Sequence, residues 1–123
     1  TKADNGTPAL NCDGPSINSL GNNIISDGSC VDGLQPTDMR LTDPMLDGID
    51  DNGGFAPTVL PLEGSPVLDA ANDNACPVQD QRGIVRPQGM HCDIGAIEIT
   101  VLDQSDTVYT IALPTVHRAD TAQ

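Results

Sequence analysis

Apolar residues in this chain come in short runs broken by turn-forming clusters, and none of the runs between residues 43 and 98 is long enough for an ordinary helix. The breaks there are Asn52-Gly53-Gly54, Gly64-Ser65-Pro66, Arg86-Pro87-Gln88-Gly89 and Asp93-Ile94-Gly95, each marking a change of direction. The pattern predicts short extended segments, joined by tight turns, that carry the core.

Along the chain, residues 1–10 are polar and read as an entry segment. In residues 11–34 the apolar positions Ile17, Leu20, Ile24, Ile25 and Val31 are separated by Asp-Gly and Leu-Gly-Asn-Asn turns, which suits one solenoid coil. A coil of about 20 to 30 residues cannot bury its apolar face alone and needs neighbours above and below. Leu41 and Met45 flank a second short strand. Residues 55–62 supply an extended run whose two prolines fit an edge position or an irregular strand. Ser65-Pro66 has the chemistry of a helix start, so residues 67–71 are expected to form one helical turn that covers an apolar edge. The tail over residues 97–116 alternates in part and is rich in β-branched residues, so it reads as strand, with 118–123 frayed.

Several of these residues stand in a telling order. Asp43-Pro44-x-Leu46, Asp51-Asn52-Gly53-Gly54 and Gly64-Ser65-Pro66-Val67-Leu68-Asp69-Ala70-Ala71 come first. Cys76-x-x-x-Asp80-Gln81-Arg82-Gly83, Arg86-Pro87-Gln88-Gly89 and Cys92-Asp93-Ile94-Gly95-Ala96-x-Glu98 follow. Together they resemble the end of choice-of-anchor Q domain proteins, and residues 11–30 look like a rung just before that terminal module. The resemblance covers roughly the middle half of the chain closely. It implies the fold of large bacterial surface proteins: all-β, here the end of a short right-handed parallel β-helix or β-solenoid with a turn-rich, disulfide-stapled terminal module. The expected division is an entry segment and coil over 1–42, the module over 43–98, and a strand and tail over 99–123. No catalytic residues are generally assigned to such a module.

Composition sharpens this picture. With one Phe, one Tyr and no Trp, the core has to be built from Leu, Ile and Val in thin layers, which favours a narrow cross-section. The net charge of −13, with only five Lys and Arg, excludes a general nucleic-acid binder and opposes anionic lipid. No apolar run approaches the roughly 20 residues of a membrane span. The sequence opens at Thr1 without Met, so a leader or a longer precursor is expected to have been removed. Sixteen Asp against two Glu point to turns, because Asp accepts hydrogen bonds from its own downstream backbone.

The cysteines fall as Cys12 with Cys30 and Cys76 with Cys92, and neither spacing resembles the C-x-x-C pairs of a zinc site. Disulfides are the expected use. Four cysteines allow three pairings; nearest-neighbour closure, Cys12 with Cys30 and Cys76 with Cys92, fits the turn-rich loops between them and the resemblance. Each bridge would stabilise by roughly 3 kcal/mol on a chain-entropy estimate. An oxidising, extracellular or cell-surface setting follows.

Candidate chemistry is sparse. Asp47, Asp50 and Asp51 have the carboxylate density of a calcium loop but lack the twelve-residue pattern and its closing Glu, so tight turns explain the same residues and no other cofactor is implied. Arg82 is expected to pair bidentately with a carboxylate such as Asp80 or Asp93 and lock its loop; an anion or sugar-acid site is the functional alternative. Ser65 lacks a nucleophile elbow, and His91 and His117 have no recognisable nucleophile partner.

The expected function is a non-enzymatic secreted or cell-surface structural or adhesive subunit. The alternative is a carbohydrate-binding or polysaccharide-cleaving β-helix domain. Residues 11–45 hold sequence for only one or two coils, so partners are expected at the solenoid edge: further copies in an oligomer or filament, or the rest of a processed precursor. The uncharged strand Val108, Tyr109, Thr110, Ile111, Ala112 and Leu113 would make the contact.

Overall fold

Among the described residues four short strands form, each holding at least one aliphatic or β-branched residue: β1 (Ile24–Ile25), β2 (Met39–Arg40), β3 (Leu46–Asp50) and β4 (Thr58–Pro61). The structure is a computed structural model and describes residues 9–14, 17–30 and 33–104. β1 pairs with β2 in parallel, Ile24 opposite Met39 and Ile25 opposite Arg40. β3 and β4 form an antiparallel hairpin with Leu46 opposite Pro61, Ile49 opposite Val59 and Asp50 opposite Thr58. Between the first two pairs, Asp47 and Gly48 face Leu60 alone, which is a β-bulge.

The expected right-handed parallel β-helix is therefore not the fold. The strands make two separate two-stranded sheets, and most of the described chain is turn and loop. The physical reason lies in what satisfies the backbone. A solenoid pairs its amides rung to rung, whereas here aspartate side chains take them. Asp38 accepts from the amides of Asn23 and Gln35, and Asp27 from those of Asn11 and Ser29. Asp80 accepts from Arg82, Ile84 and Glu98, and Asp93 from Asp69 and Ile99. A buried amide needs one partner, and a carboxylate that supplies it removes the call for a neighbouring strand.

The core is correspondingly thin. Ile25, Val67, Cys92 and Ile97 are buried, while the single Phe, Phe55, is 92% exposed and contributes nothing to it. Among the described residues, Thr58, Ser65, Asp80, Arg86, Asp93 and Glu98 are buried beside them. Both disulfides close between nearest neighbours, Cys12 to Cys30 with a Cα–Cα distance of 5.0 Å and Cys76 to Cys92 with 6.5 Å. Two bridges place the folded chain in an oxidising environment.

Ser65 does start a turn. Its hydroxyl accepts from the Val67 amide at 3.2 Å and donates to the Pro44 carbonyl at 2.6 Å, tying the turn to the chain before β3. The turn stops at Asp69, whose φ of +53° cannot continue a helix. The strand expected from residue 97 onward is not formed over 97–104. Instead Asp103 folds back, its carboxylate accepting from the Thr100 amide and hydroxyl, and residues 101–104 are a turn. The proposed contact strand, residues 108–113, lies outside the described residues.

Candidate functional site

The loop between Cys76 and Cys92 reverses at residues 80–84, where an isolated antiparallel bridge joins Gln79 to Val85. This reversal puts Arg82 and Arg86 on the interior side of the loop, with side chains 5% and 3% exposed. All five N–H groups of Arg82 are used. Nε donates to Asp80 at 3.3 Å, and Nη1 and Nη2 grip Asp103 bidentately at 2.8 and 3.0 Å. The remaining two reach the carbonyls of Asn52 and Glu98 at 3.0 and 2.8 Å. One guanidinium thus ties the Asn52 turn, its own loop and the 98–103 segment together.

Arg86 donates to Glu98 at 3.3 Å and to the carbonyls of Asp93 and Gly95, leaving its Nε without a partner. Glu98 is fully buried and also accepts from the amides of Gln88 and Asp93 at 2.7 and 2.9 Å.

The electrostatics follow the geometry. Burial pushes the Asp80 carboxyl up, but three backbone amides and Arg82 outweigh it, so the group lies below the usual carboxylate range. Asp103 behaves alike: burial raises it, and Arg82 with Thr100 outweighs that, so it too lies below the usual carboxylate range. Arg82 is raised above its ordinary value, first by the Asp103 hydrogen bond. Outside this core, the Ser19 hydroxyl holds Asp38 well below the usual range. Exposed His91 is raised and Asp73 lowered, each chiefly by their mutual 2.7 Å hydrogen bond.

The sequence-derived residues fare unevenly. Asp80 pairs with Arg82, but Asp93 does not; it serves backbone amides, and the bidentate partner is Asp103. Every donor of Arg82 is engaged inside the molecule, as the ion-pair reading requires, so Arg82 has no donor to offer the alternative anion or sugar-acid ligand. The stretch read as tight turns, with a calcium loop as the alternative, makes turn contacts. Asp47, Asp50 and Asp51 are exposed, and each caps a backbone amide one or two residues on, at 2.7, 2.7 and 3.1 Å. They do not converge: among the described residues, the one group of three or more ligating side chains with atoms within 4.8 Å of one another is Asp73, Cys76 and Cys92.

A second feature was not legible in the sequence. The β3–β4 hairpin and residues 94–97 enclose a groove of about 460 Å³ with mostly aliphatic walls, among them Leu46, Ile49, Val59, Val67, Ile94 and Ile97. Ile49 is 73% exposed at its rim.

Comparison with known proteins finds no matching family, no matching curated protein and no matching solved structure.

Proposed function

We propose that this chain is a non-enzymatic structural or adhesive subunit of a secreted or cell-surface assembly, and that it joins other copies through the aliphatic groove beside the β3–β4 hairpin. The observation that carries the reading is that groove: an apolar cleft flanked by a hairpin whose outer strand edges pair with no other strand among the described residues, where the buried arginines bond to carboxylates of the same chain. Open edges and aliphatic walls accept an added strand. The occupant is residues 108–113 of a second copy. That segment is uncharged and alternating, and a contact between two chains of net charge −13 requires an uncharged element. The two disulfides and the resemblance to surface-protein modules support the extracellular setting.

Sedimentation of the disulfide-intact chain over a wide concentration range tests the reading. The full chain is expected to associate as concentration rises, and a chain ending at residue 104 is expected to remain monomeric. A full chain that is monomeric throughout, or a shortened chain that associates equally, overturns it.

A further inference from the structure

A peptide nitrogen that follows Asp or Asn can attack the side chain before it, and glycine leaves that nitrogen least hindered because it carries no Cβ. The described residues hold three Asp-Gly links, Asp13–Gly14, Asp27–Gly28 and Asp47–Gly48, and one Asn-Gly link, Asn52–Gly53. Their surroundings differ.

At Asp47–Gly48 the β-bulge takes both residues out of the β3–β4 register, and the Gly48 amide turns to its own neighbour, donating to Asp47 Oδ1 at 2.7 Å. Cγ, the carbon that the nitrogen must reach, is one bond beyond that oxygen. Both residues are exposed, and a Cβ placed at Gly48 would meet nothing within 4 Å, so water has access and a ring has room to close. Reacting groups held this near each other have part of their entropy cost already met.

The other links lack this arrangement. Asp27 turns its carboxylate to the amide and hydroxyl of Ser29 and to the Asn11 amide, and the Arg40 guanidinium lies over Gly28. Asn52 donates through Nδ2 to the Thr58 carbonyl and hydroxyl, while the Gly53 amide is drawn away to Asp51 at 3.1 Å. Asp13 makes no such bond to Gly14 among the described residues. Asp50 does repeat the 2.7 Å bond, to the Asp51 amide, but that nitrogen belongs to a residue with a charged side chain.

We propose that Asp47–Gly48 is a site of spontaneous isomerisation in the folded chain. The Gly48 nitrogen loses its proton and bonds to Cγ of the protonated Asp47 carboxyl; a Cγ–O bond breaks, one water leaves, and a succinimide ring closes. Water then adds to either ring carbonyl. Opening at Cγ restores aspartate, whereas opening at the main-chain carbon breaks its bond to nitrogen and leaves an isoaspartyl link running through Cγ. The water lost is regained, so mass is unchanged and no oxidant or reductant takes part. The new link lengthens the backbone of β3 by one carbon, which displaces Ile49 from its place opposite Val59.

The test keeps the disulfide-intact full chain in mildly acidic buffer at physiological temperature. Peptide mapping with electron-transfer fragmentation, backed by labelling with an isoaspartyl carboxyl methyltransferase, locates the isoaspartate over time. Asp47 is expected to isomerise faster than Asp13 and at least about tenfold faster than Asp27, Asp50 or Asn52. Unfolding the reduced chain in urea should erase this ranking. Gly48→Ala, for which the backbone φ and the open space leave room, should slow the reaction about tenfold with the melting temperature unchanged. Asp47→Glu should remove it, because the longer side chain would have to close a larger ring. Isoaspartate forming at Asp13, Asp27 or Asn52 as fast as at Asp47 in the folded chain overturns the proposal, and so does Gly48→Ala isomerising at the parent rate.

Discussion

Arg82 shows how much one side chain can hold when aliphatic packing is scarce. It is nearly buried, bonded bidentately to Asp103 and once to Asp80, so removing it strands two carboxylates in the interior. Arg82→Ala is expected to destabilise by about 3 to 5 kcal/mol, read as the urea midpoint with both disulfides intact. Arg82→Lys should recover only part of this, because an ammonium cannot span two carboxylates and two carbonyls at once. A midpoint unchanged in Arg82→Ala would show the pair to be dispensable.

The same pair sets the acid limb. Asp80 and Asp103 both lie below their ordinary values in the folded chain. Depressed carboxyls stabilise at pH above their unfolded value of about 3.9, and that stabilisation is lost as pH falls through the folded value. Stability should therefore drop below about pH 4, and the drop should be shallower in Asp103→Asn. An identical acid limb in the variant would assign the titration to other groups.

Among the elements, the turn at Ser65 carries the clearest single consequence. Its hydroxyl serves the Pro44 carbonyl and the Val67 amide from a buried position. Ser65→Ala leaves both without that partner and is expected to cost about 1 to 3 kcal/mol by thermal melting, while Ser65→Thr should retain most of the stability if its methyl is accommodated. This turn was readable in the sequence, as were those at Gly53, Gly64 and Gly95, because Gly, Pro, Ser and Asp act on their own neighbours.

Strand pairing was not readable. The apolar spacing of residues 11–45 implied a coil, yet one parallel pairing of two residues on each strand is what forms there among the described residues. The aspartates that replaced the ladder were correctly seen as turn formers, but their reach to distant amides, such as Asp93 to Asp69, depends on the tertiary fold. Asp103 and Glu98 were missed for the same reason. The rarity of Glu, two residues among eighteen acids, was the one signal that Glu98 has a separate job, since its longer side chain reaches Arg86 and two amides at once.

At the scale of the whole molecule, the buried set among the described residues holds more polar and charged groups than aliphatic ones, and this bears on how the protein responds to temperature. Unfolding exposes apolar surface, which raises the heat capacity by about 0.45 cal/mol/K per Å², and polar surface, which lowers it by about 0.26. A core led by Glu98, Arg86, Asp80 and Asp93 shifts that balance toward the second. Scanning calorimetry of the disulfide-intact chain should give a heat-capacity increment below the usual value of about 12 to 15 cal/mol/K per residue; a value above that range would contradict a polar interior. A small increment flattens the stability curve. The chain would then keep nearly the same margin against unfolding in the cold as at moderate warmth, a tolerance of changing temperature that comes from charged groups inside.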